Sequence, residues 1–191
     1  MEDIQDIAVI GVLRAFPQAD HYNPFEALPD AKFFESFRFT KRACVVVLRE
    51  VLPHLPRRVS RAGGVQPFMR VLFAMYYLAT GNYYWCVGRG MQSSNASAWR
   101  YIKNGLTALT SYAVVQRWIP WYSPVDAQLM ERRFRAHRQL PMVIGAVDGK
   151  QIPVLSPAEH EEAYINRKGY SSINIMCICD LDGIFRYVDA R

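Results

Sequence analysis

Hydrophobic residues in the last third of the chain fall into three short runs separated by polar and turn-forming residues. The runs are rich in Val, Ile and Tyr and are bounded by Gly, Pro and Asp, which is typical of strands rather than helices. The pattern predicts strands at about 142–148, 172–180 and 184–190. Asp182-Gly183 between the last two runs predicts a two-residue hairpin turn of type I′, in which both central positions have positive φ.

Apolar positions in the first two thirds recur every three to four residues, which predicts amphipathic helices. Asp30, Thr40 and Ser123 are expected as N-caps, Gly81 is expected to end the helix at 67–79, and Pro67 suits a first helical turn. The segment 67–79 is apolar almost all round and is expected at the centre of a helical core. The predicted helices are a short one within 1–22, then 31–38, 41–52, 67–79, 82–88, 94–113 and 124–137, with an irregular connector at 112–122.

The predicted helices at 82–88 and 94–113, joined by a turn that contains Gly90, have the outline of a helix-turn-helix. The stripe expected to be buried in the second helix is Ala98, Trp99, Ile102, Leu106, Leu109 and Ala113. The outward positions predicted to contact DNA are Asn95, Arg100 and Lys103. The alternative is a pair of core helices with an ordinary solvent face, because helix pairs with short turns are common.

The chain has a net charge of +6 and a sequence pI of about 9.3, so a polyanionic partner is expected. The densest positive cluster, in the helix before the first strand, is Arg132, Arg133, Arg135 and Arg138. A second group, in a predicted loop, is Arg57, Arg58 and Arg61. Each group fits either phosphate contacts or a solvated surface, and both interpretations stay open.

The cysteines are Cys44, Cys86, Cys177 and Cys179, and they do not have the paired spacing of a zinc site. Reduced and buried thiols are therefore expected. The acidic N-terminus lacks the pattern of a signal peptide, and no apolar run approaches the ~20 residues of a membrane span. We expect an intracellular, soluble protein.

The first predicted strand ends at Asp148, a carboxylate that a buried strand does not need for folding. It lies in the sequence AVDGK at 146–150, which is followed by YINRKGYSSIN at 164–174, CDLDG at 179–183 and VDAR at 188–191. This ordered combination resembles the catalytic half of the PIF/Harbinger transposases, and in particular the Harbinger transposase-derived nucleases of the DDE superfamily. The match runs from about residue 140 onward, with a fainter echo back to about residue 23.

The resemblance implies an α+β protein. An N-terminal all-α domain at 1–120 contains the helix-turn-helix-like pair, and the first three strands of an RNase H-like domain follow at 121–191. The second and third acids of the family's Asp-Asp-Glu triad would come after Arg191, so the nuclease is expected to be incomplete in this chain.

The resemblance also implies chemistry at the strands. Two divalent ions, Mg²⁺ or Mn²⁺, held about 4 Å apart by carboxylates would activate the attacking oxygen and stabilise the leaving oxygen of a DNA phosphodiester. Asp148 is the expected catalytic residue and first metal ligand. Asp189 is the second candidate ligand, because antiparallel pairing of the last two strands brings it toward that end of the sheet. Arg167 and Lys168 are expected to bind the substrate.

Two further aspartates are not expected to bind a metal ion. Asp180 and Asp182 are set aside, the first as a hairpin residue far from Asp148 and the second as a turn residue. Lys150 stands where the family usually has Thr, and it would compete with a metal for the first carboxylate. The family resemblance implies two partners, DNA and a Myb-like or other DNA-binding protein. It also implies a location in the nucleus, and the cytoplasm is a second expected location.

The predicted function is therefore a metal-dependent DNA nuclease. The alternative, from a different class, is a non-catalytic DNA- or protein-binding module formed by residues 82–113. A helical interaction domain that makes no DNA contact is a third interpretation.

Overall fold

A computed structural model describes residues 22–56 and 65–190, and these residues form two compact units, one up to Val114 and one from Val115. The helix predicted within 1–22 and the loop with Arg57, Arg58 and Arg61 lie outside the described residues. The first unit is helical and the second contains a three-stranded antiparallel sheet. The expected α+β class is confirmed.

The elements of the described residues follow the predicted order with a few changes. The helices are α1 (Pro24–Ala27), α2 (Asp30–Phe37), α3 (Lys41–Val51), α4 (Pro67–Thr80), α5 (Tyr84–Gly90), α6 (Asn95–Leu109), α7 (Tyr112–Trp118) and α8 (Pro124–Arg138), with 3-10 turns at Leu52–His54 and Glu161–Tyr164. The strands are β1 (Ala146–Pro153), β2 (Ser172–Cys179) and β3 (Phe185–Ala190).

Capping residues fix several helix limits as the sequence predicted. The side chain of Thr40 accepts a hydrogen bond from the N–H of Ala43 at 3.2 Å, and α4 ends at Gly81 with φ 63°. Asp30 is the first residue of α2 rather than its cap, because Pro29 occupies that position. The expected irregular connector is wrong over 112–118, where the chain forms α7.

The core of the first unit is built around α4. Eight consecutive residues of this helix, from Phe68 to Met75, are buried, which confirms the expected central helix. The largest side chains packed with it and fully buried are Phe33, Phe37, Leu48, Val51, Val87 and Ile102. Cys44 is buried as expected, and burial raises the pKa of its thiol to about 12, whereas Cys86, Cys177 and Cys179 are only half-buried, so the expectation of buried thiols is wrong for those three.

The crossing of α4 and α6 depends on Gly105. A Cβ at this position would meet the carbonyl group of Arg70 and would lie 2.6 Å from the Cβ of Ala74. Only a residue without a side chain allows the two helices to approach this closely. Gly105 therefore sets the distance between the central helix and the outward helix of the helix-turn-helix-like pair.

The second unit is a sheet with the strand order β1-β2-β3 and a helix, α8, that contributes a small apolar core. Met130 and Phe134 of α8 are buried with Tyr122. Val143 and Ile144 pack against this cluster, so the apolar run at 142–145 covers α8 and does not form a strand. This explains why β1 begins at Ala146 rather than at about residue 142.

No helix of the described segments is both long enough and apolar enough to cross a membrane.

We predict that Gly105→Ala destabilises the helical unit by about 1–3 kcal/mol, because an added methyl group overpacks the contact between α4 and α6. The measurement is chemical denaturation followed by circular dichroism. Thr107→Ala, on the exposed side of the same helix, is the control and should change stability by less than about 0.5 kcal/mol. Equal stability of Gly105→Ala and the unsubstituted chain would contradict the close crossing.

Candidate functional site

Asp148 lies within β1, an edge strand of the sheet, rather than at the end of a strand. It is the third residue of the eight-residue β1, whereas the sequence placed it last. Every residue of β1 is exposed, so the expectation of a buried strand around a single carboxylate is wrong. One carboxylate oxygen accepts a hydrogen bond from the N–H of Gly149 at 2.8 Å, and the side chain is open to solvent.

The strand register shows which side chains share a face with Asp148. Asp148 stands opposite Cys177, and Cys177 stands opposite Val188, so these three project from one face of the sheet. Lys150 projects from the same face, about 7 Å along the strand. The lysine that was expected beside the carboxylate is therefore on the correct side to neutralise part of its charge.

Asp189 does not join Asp148. It stands opposite Met176, and Met176 stands opposite Gly149, which is one residue out of phase with Asp148. Because neighbouring residues of a strand point to opposite faces, Asp148 and Asp189 project from opposite sides of the sheet. The register does not form the Asp148–Asp189 pair that was expected to share a metal ion.

Asp180 is buried and fully occupied by hydrogen bonds. One carboxylate oxygen accepts from the N–H groups of Asp182 and Ile184, both at 2.9 Å. The other pairs with Arg186 at 2.9 and 3.0 Å, and the Asp180 side chain has no solvent exposure. This carboxylate holds the hairpin, so it is not available to a metal ion. The sequence excluded it because it was expected far from Asp148, and that reason is wrong: Asp180 follows Cys179, which stands opposite Ala146, two residues from Asp148.

The hairpin turn differs in type from the predicted one. Gly183 has φ 78°, but Asp182 is not among the residues with positive φ, so the turn is not of type I′. The N–H of Asp180 donates to the carbonyl of Ile184 at 3.0 Å, which closes a three-residue loop. Within this loop the side chain of Asp180 accepts hydrogen bonds from the backbone N–H groups of Asp182 and Ile184.

The helix α8 is attached to this turn by the ion pair of Arg133 with Asp182. Arg133 makes two hydrogen bonds to Asp182, at 2.7 and 2.8 Å, and this guanidinium holds the pKa of the Asp182 carboxyl below its usual value of 3.8. Arg135 binds Glu131 at 2.6 Å. Two of the four arginines expected near a DNA backbone thus have carboxylate partners, and the exposed side chains of Arg132 and Arg138 remain for an external anion.

A tight turn presents Arg167 and Lys168. The side chain of Asn166 accepts a hydrogen bond from the N–H of Lys168 at 2.8 Å, and Gly169 has φ 78°. The turn follows the end of the sheet where Pro153 stands opposite Ser172. Five residues of β1 separate that end from Asp148, which is roughly 16 Å along the strand. Both cations are exposed, but they are not adjacent to Asp148.

A polar network anchors this turn to the sheet. Asn166 donates through its side-chain amide to the hydroxyl of Ser172 at 2.8 Å, and Ser172 donates to the side chain of Gln151 at 2.7 Å. Sequence reasoning missed Gln151. Gln151 lies beside Ser172 because it pairs with Asn174 in the sheet. The sequence alone does not give this strand register, so it could not identify the contact.

An apolar groove occupies the other face of the sheet. Its lining includes Ile119 and Trp121, together with Met176, Ile178 and Tyr187 of β2 and β3. These strand residues share the face of Asp189 and not that of Asp148. Asp148 is not among the residues that line the groove, although Val188, which shares its face, is one of them.

The described residues do not contain a complete metal centre. Within 22–56 and 65–190, no group of three or more His, Cys, Asp or Glu side chains is arranged to hold a metal ion. A single carboxylate binds Mg²⁺ or Mn²⁺ weakly, since such ions are held by several oxygen ligands. Asp148 can be one ligand of a centre, but the described residues do not supply the others.

The helical unit presents the three side chains predicted to face DNA. Asn95, Arg100 and Lys103 are all exposed on α6. The Ser94 hydroxyl caps this helix by accepting from the N–H of Ser97 at 3.3 Å, and Ala98 and Ile102 are buried beneath it. The guanidinium of Arg100 lies along its own helix, with bonds of 3.3 and 3.4 Å to Ala96 and Ser97.

The predicted buried stripe of α6 is wrong at Trp99. The side chain is 46% exposed, and the buried positions of the helix are Ala98, Ile102, Gly105 and Ala108. Ala113, which was also expected in the stripe, is exposed and lies in α7. The buried face of α6 contains Gly105, where α4 approaches closely, and Trp99 lies outside that face. Trp99 therefore lies on the outward face with the residues that were predicted to contact DNA.

Comparison with known proteins points to one class, the nucleases. The chain is 28% identical to a human protein over 151 residues, 29% identical to a rat protein over 138 residues and 27% identical to a bovine protein over 135 residues. Each of these bears the name "Putative nuclease HARBI1". The resemblance to the Harbinger transposase-derived nucleases is confirmed by these matches, which cover 71–78% of the chain.

The chain spans about two fifths of the length of these relatives, between 38% and 43%. No family model matches the chain. No solved structure matches it either, and the RNase H-like assignment therefore stays an expectation.

We predict that Asp182→Asn lowers the melting temperature of the sheet unit at pH 7 and that this difference disappears in acid. The carboxyl has a lowered pKa in the folded state because of Arg133, so its contribution is full above the ordinary value of 3.8. It is lost as the pH falls below that value and the native carboxyl takes up a proton. Thermal melts followed by circular dichroism between pH 7 and pH 2.5 or so measure this.

Arg133→Gln serves as the partner control and should show the same pH dependence, because it removes the other half of the pair. A stability difference that stays constant across this pH range would mean that the ion pair does not stabilise the unit.

Proposed function

We propose that this chain supplies Asp148 to a metal-dependent nuclease of the Harbinger transposase-derived kind, which hydrolyses DNA phosphodiester bonds. The similarity to proteins named as nucleases is the observation that carries the proposal. The exposed carboxylate of Asp148 in the first strand supports it, because such oxygens are the ligands that Mg²⁺ and Mn²⁺ prefer.

The carboxylate has a defined task in this proposal. Asp148 would hold a divalent ion, which lowers the pKa of a bound water and stabilises charge on the phosphate oxygens. Further ligands would come from outside the described residues, within an RNase H-like domain. Asp189 projects from the other face of the sheet, and it has no part in the ion held by Asp148 in this proposal.

Arg167 and Lys168 are proposed to contact the DNA backbone away from the cleaved bond. Their turn lies beyond the end of the sheet, roughly 16 Å from Asp148 along the strand. Successive phosphates of one strand rise about 3.4 Å along a duplex, so this separation corresponds to roughly five nucleotides. The two cations would therefore position the substrate rather than stabilise the reacting phosphate.

DNA is the proposed substrate, since the relatives are named as nucleases. A location in the nucleus and a separate DNA-binding partner of the Myb-like kind follow from the family resemblance, and they belong to this proposal only. Immunoprecipitation of the tagged chain from nuclear extract would test both.

We predict that Asp148→Asn abolishes metal-dependent cleavage, with a loss of at least about a hundredfold, because metal-held oxygens supply several kcal/mol to such reactions. The measurement is nicking of supercoiled plasmid in Mn²⁺ by this chain and by a version extended to the length of the relatives. Asp189→Asn is the matched control and should retain cleavage within about twofold, since that carboxylate faces the opposite side.

The outcomes separate the alternatives. Cleavage by the extended chain alone, lost in Asp148→Asn and in EDTA, supports a centre that this chain carries in part. Cleavage that survives EDTA or Asp148→Asn would contradict the proposal. If neither chain cuts but both bind DNA, the binding module described next replaces the nuclease.

A second candidate function is DNA binding by α5 and α6 without catalysis. The observation that favours it is the outward placement of Asn95, Arg100 and Lys103 on the second helix of a pair joined by a short turn. A helix in this position can enter a major groove, with cations at phosphates and a polar amide at base edges. This function requires no metal ion.

We predict that Arg100→Ala and Lys103→Ala each weaken DNA binding and reduce its dependence on salt by about one counterion, as expected for loss of one phosphate contact. Fluorescence anisotropy at several salt concentrations between about 50 and 200 mM measures both effects. Arg42→Ala removes an equal charge from an exposed position on α3 and is the control. An equal effect of Arg42→Ala would show that overall charge, and not this helix, binds DNA.

A further inference from the structure

The two helices α5 and α6 expose aromatic side chains to solvent. Tyr83 is 77% exposed, Trp85 is 47% exposed and Trp99 is 46% exposed. Tryptophan is highly buried on average in folded proteins, because its large apolar ring gains most from leaving water. All four tryptophans of the chain are between 46% and 53% exposed, and two of them, Trp85 and Trp99, lie on this helix pair.

Each of these tryptophans is paired with a cation one helical turn away. The guanidinium carbon of Arg89 lies 5.2 Å from the ring centre of Trp85, and the Lys103 ammonium lies 5.2 Å from the ring centre of Trp99. The spacing is four residues in both cases, which places ring and charge side by side on the helix surface. The same arrangement occurs twice, once in each helix of the pair.

The charge of this part of the chain is of one sign. No Asp or Glu occurs between Glu50 and Asp126, while eight of the 23 Lys and Arg residues do. The remaining 15 Lys and Arg stand against all 17 Asp and Glu in the rest of the chain. The positive excess of the protein therefore comes from the segment that contains α5 and α6, and this charge is complementary to an anionic partner.

We propose that Trp85 and Trp99 stack on unpaired bases of a nucleic acid whose phosphates contact Arg89, Arg100 and Lys103. We call these five residues the stacking surface. The proposal rests on the proposed DNA binding by α5 and α6 and specifies its substrate class: single-stranded or locally opened DNA rather than closed duplex.

The chemistry of the ring favours this occupant over a closed duplex. In a duplex each base face is covered by its neighbours, so an indole in a groove reaches only base edges and gains little from its flat surface. An unpaired base offers its whole face, and aromatic residues beside cations are the recurring means of binding single strands. Trp99 also lies between Asn95 and Lys103, one helical turn from each, where a major-groove reader would carry a polar side chain.

A protein partner is the competing occupant, since Trp and Arg are frequent at the centres of protein interfaces. The uninterrupted positive charge argues against it, because such interfaces are depleted of charge at the core.

The experiment measures binding of the full chain to two fluorescein-labelled probes by anisotropy. One is a thymidine oligonucleotide of about 20 nucleotides, which cannot pair with itself, and the other is a closed hairpin duplex of equal phosphate number. We expect the single strand to bind more tightly at equal salt and to quench the tryptophan fluorescence. Trp99→Leu and Trp85→Leu should each weaken single-strand binding about tenfold, while duplex binding changes less than about twofold.

Two further variants give the control. Trp99→Phe keeps an aromatic face and should retain most of the affinity that Trp99→Leu loses. Trp118→Leu removes another half-exposed tryptophan, 50% exposed on α7, and should leave binding unchanged. Circular dichroism melts confirm that each variant is folded.

The outcomes distinguish this inference from the proposal on which it rests. If the duplex binds as tightly as the single strand and the tryptophan variants have no effect, the stacking surface is wrong while DNA binding by α6 stands. If the unsubstituted chain binds neither probe, DNA binding itself is wrong. If Trp118→Leu loses as much affinity as Trp99→Leu, the effect is not specific to this surface and the inference is overturned.

Discussion

The buried carboxylate of Asp180 accepts two backbone hydrogen bonds within the hairpin turn and pairs with Arg186 of β3. A buried charge is tolerated only when its partners are complete, so this group fixes where β2 ends and β3 begins. The pairing of β3 with β2 has an irregularity between Ile178 and Cys179, next to this turn. Arg186 also lies 5.0 Å from the ring of Tyr122, whose burial raises its pKa, and this links the turn to the small apolar core under α8.

The strand register decides which polar side chains project from the same face of the sheet. Asp148 shares its face with Lys150 and Cys177, whereas Asp189 is on the other face beside an apolar groove. The turn with Arg167 and Lys168 follows the far end of β1. A carboxylate that is open to solvent and has no second acid among its described neighbours is suited to contribute one ligand to a centre rather than to form the whole of it.

The helical unit follows a different constraint, the contact of α4 with α6 at Gly105. The helix α4 is buried over two full turns, and α6 approaches it closely at Gly105. This contact determines which residues of α6 face away from α4. Trp99, Arg100 and Lys103 are among those residues. The proposed contact with unpaired bases rests on the positive charge of this segment, which has no acidic residue nearby in the sequence, and on the exposed rings.

The sequence by itself determined the class of the fold and most of its elements. Thr40, Ser123 and Gly81 mark helix limits through local hydrogen bonds and backbone angles, and the apolar length of 67–79 identifies the central helix, because these signals act within a few residues. The motifs around Asp148 were also sufficient to indicate the Harbinger-type nucleases.

Tertiary structure alone decided the rest. The run at 142–145 covers α8 instead of forming a strand, the tryptophan at 99 faces solvent, and the two candidate ligands, Asp148 and Asp189, point apart. Each of these outcomes depends on which distant segment is the packing or pairing partner, and a local pattern of apolar and polar residues does not contain that information.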